Sequence, residues 1–106
     1  MAENKFQAKL IKELNEKFPE CIVLKNDPNY IQGIPDLTVL YKNKWCALEV
    51  KDSEKASKRP NQEYYIKRMN DMSYAAFICP QNKEEVFDGL QRAFGLRRST
   101  RISKRK

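Results

Sequence analysis

Gly33-Ile34-Pro35-Asp36-Leu37-Thr38-Val39-Leu40-Tyr41, Lys42-Asn43-Lys44 and Trp45-Cys46-Ala47-Leu48-Glu49-Val50-Lys51 follow one another without interruption. The apolar runs Asp36 to Tyr41 and Trp45 to Lys51, parted by three polar residues, predict a β-hairpin. Three charged residues sit where such strands should be apolar: Asp36 opens the first run, and Glu49 and Lys51 lie within the second. Strand side chains alternate, so Glu49 and Lys51 share one face about 6.6 Å apart, while Leu48 and Val50 face the other way.

The turn decides where Asp36 points. A two-residue turn at Lys42-Asn43 pairs Asp36 with Glu49, and one at Asn43-Lys44 pairs it with Lys51; paired residues point to one face, about 5 Å apart. In both cases Asp36, Glu49 and Lys51 converge. A three-residue turn without a bulge pairs Asp36 with Val50 instead and sends the carboxylate to the opposite face. Two carboxylates this close repel each other unless one is protonated or a cation lies between them. Hard oxygen ligands select Mg²⁺ or Mn²⁺, and a neighbouring lysine could orient or deprotonate an attacking water. The alternative is a surface Asp and a Glu-Lys pair on a solvated sheet face.

Outward from the hairpin the elements follow in order. Phe6, Leu10, Ile11, Leu14 and Phe18 form one stripe of an amphipathic helix that Pro19 stops. Cys21 to Leu24 is a short first strand, broken by Asp27-Pro28-Asn29. Residues 52 to 59 are polar and expected to be flexible; Pro60 suits the first turn of a helix whose apolar side is Tyr65, Ile66 and Met69. Tyr74 to Cys79 is a last strand, and Val86, Leu90, Ala93 and Phe94 mark a final helix ended by Gly95. The expected order is helix, three strands, helix, strand, helix.

Within the first-helix stripe lies Glu3, whereas Glu13 is on its edge and Glu16 outside it. Glu3 is thus the first-helix glutamate aimed at the sheet, although a Glu in a first turn can also serve only the helix dipole. Gln62 stands three, four and seven residues before Tyr65, Ile66 and Met69, on the apolar side of its helix; a surface glutamine is the plainer reading.

Composition narrows the chemistry. The chain has 106 residues, a size suited to one domain, with 41% hydrophobic and 33% charged residues and a mean hydropathy of -0.79, which argues against a membrane span. It contains no histidine, which excludes Ser-His-Asp and Cys-His nucleophiles, histidine-metal nucleases, Cys2His2 fingers and HExxH proteases. Cys21, Cys46 and Cys79 lie in apolar surroundings without a CxxC and read as small buried hydrophobes in a reducing compartment. The first residues lack the apolar core of a secretory signal, so a cytoplasmic location is expected.

With 21 Lys and Arg against 14 Asp and Glu the formal charge is +7. Residues 96 to 106 hold six of the basic residues and no acidic one, so residues 1 to 95 carry a net charge of only +1. The last eleven residues read as a disordered basic tail following a folded region over 1 to 95.

Gly33-Ile34-Pro35-Asp36 followed by Glu49-Val50-Lys51 resembles the PD-(D/E)xK nuclease motif, and the helix-first order resembles that superfamily's αβββαβ core, a restriction-endonuclease-like mixed sheet flanked by helices. Glu3-x-x-Phe6-Gln7 and Arg59-Pro60-Asn61-Gln62 make the chain most similar to the VRR-NUC (virus-type replication-repair nuclease) family over about residues 3 to 95. The resemblance implies metal-dependent hydrolysis of DNA phosphodiesters. It makes Asp36 and Glu49 side-chain ligands of Mg²⁺ or Mn²⁺, the Val50 carbonyl a backbone ligand, Glu3 an outer or second-metal ligand, Lys51 the residue positioning the attacking water, and Gln62 a support.

It also implies a homodimer resembling Holliday junction resolvases, acting on branched or flapped DNA, of phage type and so in the host cell cytoplasm. Lys55, Lys58 and Arg59, with Arg97, Arg98, Arg101, Lys104, Arg105 and Lys106 of the tail, are the candidate phosphate contacts. The rival expectation is a non-catalytic basic nucleic-acid-binding protein in which the carboxylates are incidental.

Overall fold

The computed structural model describes residues 2–96, with only the backbone of residues 2 and 3. It is an α/β fold: α1 (Ala2–Lys17), β1 (Ile22–Lys25), β2 (Leu37–Tyr41), β3 (Lys44–Val50), α2 (Pro60–Met72), β4 (Tyr74–Ile78) and α3 (Lys83–Ala93), with a 3₁₀ turn at Pro80–Asn82 before α3. The four strands form one mixed sheet in the order β1-β2-β3-β4. The first three are antiparallel, and β4 runs parallel to β3 after the α2 crossover. No helix among the described residues is long and apolar enough to cross a membrane.

Alternation along the strands divides the sheet into two unlike faces. Leu37, Val39, Cys46, Leu48, Val50 and Ile78 are fully buried on one of them, against Leu10 and Leu14 of α1, Phe18 just after it, and Val86 and Leu90 of α3. Phe18 joins the two helices, with its ring 5.3 Å from Phe94 and 6.1 Å from Phe87. This is the main core, and burying each such side chain stabilises the fold by about 1.5–3 kcal/mol. No α2 residue belongs to it. That helix packs on β3 and β4 from the other side, the side on which Glu49 pairs with Phe77.

The thiols of Cys21, Cys46 and Cys79 are free and buried; burial pushes that of Cys46 up to about 12, so it is inert at neutral pH. The stretch 52–59 is better anchored than a bare polar run suggests. Ala56 N donates to the Ser53 carbonyl, and Glu54 N to Gln81 Oε1, both at 3.2 Å.

Candidate active site

The hairpin turn takes the first of the registers open to it. Lys42 adopts φ 57°, which lets Lys42-Asn43 close a two-residue turn, and Tyr41 pairs with Lys44 and Leu37 with Leu48. Carried one residue further, this register sets Asp36 opposite Glu49. The position is a non-hydrogen-bonded one, where facing side chains approach most closely.

The next rung is broken by Pro35. Val50 N–H, whose ladder partner would be the Pro35 carbonyl, donates instead to Asp36 Oδ2 at 2.8 Å. The Pro35 carbonyl accepts from Asn26 Nδ2 at 2.9 Å. In the same register the Val50 carbonyl faces a proline nitrogen that carries no hydrogen, so it has no ladder donor there. Proline thus ends the pairing and leaves the Asp36 carboxylate and the Val50 carbonyl outside the β2–β3 ladder.

Glu49 and Lys51, only 4% and 9% exposed, are the two buried charged residues among those described. Their ionic ends are 3.8 Å apart. Gln62 holds both: its Nε2 donates to Glu49 Oε2 at 2.9 Å, and its Oε1 accepts from Lys51 Nζ at 2.9 Å. The same Oε1 accepts from Arg59 N at 3.1 Å, so the side chain also closes the start of α2. Reversing the amide would point donors at the ammonium, so the network itself orients it. Asp36 is half-buried, and burial raises its carboxyl above the ordinary value of 3.8; the Val50 amide and the Lys51 charge oppose this without cancelling it.

Asp36, Glu49 and Gln62 line a cleft of about 280 Å³. One wall is the β1–β2 loop, with Pro28, Asn29, Gln32 and Gly33; the other is the start of α2, with Arg59, Asn61 and Gln62. The walls meet where Gly33, at φ 90°, rests on Asn61, and a Cβ there would lie 2.7 Å from the Asn61 side chain.

Of the residues singled out in the sequence, Asp36, Glu49, Val50, Lys51 and Gln62 come together here, and Arg59 lines the cleft. Lys55 and Lys58 are exposed, the latter with its Nζ 5.2 Å from the Phe77 ring centre. Glu3 is in the first turn of α1, whose apolar stripe packs on the face opposite Asp36 and Glu49; its side chain is outside the described residues. Arg97, Arg98, Arg101, Lys104, Arg105 and Lys106 are also outside them. Asn26, Asn61 and the whole loop wall were not legible as parts of the site, although Gly33 before Ile-Pro-Asp hinted at a close approach.

Among the described residues no three His, Cys, Asp or Glu side chains gather in one place. Asp36 and Glu49 with the Val50 carbonyl are nevertheless an all-oxygen set of hard donors, which fits Mg²⁺ or Mn²⁺, ions that keep several waters and need few protein ligands. Compared with known proteins, the chain matches no family model, and no curated protein or solved structure is significantly similar to it.

Proposed function

We propose that this chain is a divalent-metal-dependent endodeoxyribonuclease, acting on branched or flapped DNA as a homodimer. The observation that carries the reading is the hairpin register that sets Asp36 opposite Glu49, one rung before the break at Pro35, with Lys51 and Gln62 bonded beside Glu49 and with Asp36, Glu49 and Gln62 lining one cleft. The resemblance of Ile-Pro-Asp and Glu-Val-Lys to the PD-(D/E)xK motif supports the same chemistry.

Asp36, Glu49 and the Val50 carbonyl would hold Mg²⁺ or Mn²⁺, which when bound supplies positive charge to the phosphate and lowers the pKa of water. Lys51 contributes an ammonium whose direction is set by Gln62, so it can donate a hydrogen bond to the attacking water or to a phosphate oxygen. Arg59 lines the cleft and can pair with the backbone of the bound strand. Glu49, held by Gln62 and Lys51, keeps its carboxylate on the cleft side without swinging into solvent.

The test is cleavage of branched, flapped, single-stranded and linear duplex DNA with and without Mg²⁺ or Mn²⁺. Asp36→Ala, Glu49→Ala and Lys51→Ala should each lower the rate by about 10²-fold or more. Variants that cut as fast as the wild type would refute the assignment. Salt-sensitive binding without cleavage is the outcome of the binding-protein reading, and a purely monomeric species under cleavage conditions would remove the homodimer.

A further inference from the structure

Tyr30 takes no part in the core. It stands on the β1–β2 loop with 84% of its surface exposed. Its ring has no aromatic, cationic or hydrogen-bonding partner among the described residues. Tyr64, the other exposed tyrosine, differs in this respect: it packs edge-on against Tyr65 at 5.0 Å and accepts a hydrogen bond from Arg68 at 3.2 Å.

The loop that carries Tyr30 is braced. Tyr30 N donates to the Asp27 carbonyl at 3.1 Å, Asn29 N to Asp27 Oδ1 at 2.8 Å, and Ile34 N to the Ile31 carbonyl at 3.3 Å. Gly33 seats the far end of the loop on Asn61. Asn29 and Gln32, on either side of Tyr30, line the cleft that ends on Asp36 and Glu49. An unpartnered aromatic side chain therefore stands on the loop that supplies one wall of the cleft.

An aromatic ring beside a backbone-binding cleft can receive a nucleobase by stacking, a contact that does not depend on which base it is. A base inside a continuous duplex has both faces covered by its neighbours, so only an unpaired or terminal base can use such a ring. We propose that Tyr30 is a stacking platform for an unpaired base of the DNA strand whose backbone enters the cleft. It makes the site select strands with an unpaired nucleotide beside the reacting phosphodiester. The inference rests on the nuclease reading for its choice of DNA as ligand.

The experiment compares wild type, Tyr30→Ala and Tyr30→Phe as full chains. Fluorescence anisotropy measures binding to a short single strand and to a blunt hairpin duplex, with Ca²⁺ in place of Mg²⁺, and cleavage of the same DNAs is then followed in Mg²⁺. Tyr30→Ala should weaken single-strand binding about tenfold and change duplex binding by less than about twofold, and Tyr30→Phe, which keeps the ring, should bind like the wild type. Equal single-strand affinity in Tyr30→Ala and wild type overturns the proposal. So does an equal loss on both DNAs, or a wild type that binds no single strand. Tyr30-dependent strand binding without metal-dependent cleavage leaves the platform standing and overturns the nuclease reading. Cleavage by a Tyr30→Ala variant with unchanged strand affinity does the reverse.

Discussion

Asp36 carries an electrostatic cost in the folded chain, because its carboxyl is half-buried and desolvation outweighs the help of the Val50 amide and Lys51. The folded chain therefore holds the Asp36 proton more tightly than the unfolded chain does. Raising the pH from below 3.8 through the displaced folded value removes stability, and none of it returns at higher pH. In metal-free protein, Asp36→Asn should melt at a higher temperature than the wild type at pH 7, since an amide oxygen can still accept from Val50 N. That advantage should vanish below pH 3.8, and thermal melts across the range check it. A wild type more stable than the variant at neutral pH would contradict the account of Asp36.

At the scale of elements, the hairpin and its neighbours were largely legible and the loop wall was not. The strand alternation that put Leu48 and Val50 in the core also put Glu49 and Lys51 on the opposite face. The choice among turns was open because lysine is not a residue that announces a positive φ, and Lys42 adopts one. The loop 26–36 has no periodicity to read. Its place depends on long-range contacts, Asn26 to Thr38 and Gly33 to Asn61, that no local pattern encodes. Gly33→Ala adds a Cβ at φ 90° against Asn61 and should cost at least about 1–2 kcal/mol in denaturant unfolding. The rate of DNA cleavage should fall with it although no cleft side chain is removed. Unchanged stability would show that the two walls do not depend on their contact.

For the whole molecule, the fold separates two jobs. Phe18, Leu48 and Leu90 belong to a core on one sheet face, and the polar cleft opens on the other, so the side chains of Asp36, Glu49 and Gln62 take no part in the main core. Charge is divided as well. With the region up to residue 95 almost neutral, the six basic residues after Leu96 carry most of the chain's excess positive charge. Removing residues 97–106 should weaken DNA binding and reduce the log-log salt slope by up to about 5, leaving the melting temperature unchanged. An unaltered slope would contradict that division.

If Asp36 and Glu49 together hold one divalent cation, calorimetric titration of Mn²⁺ into the full chain detects it apart from any activity. A single saturable site is expected in the wild type and should be lost in both Asp36→Asn and Glu49→Gln. Binding that persists in either variant, or no binding by the wild type, would contradict it.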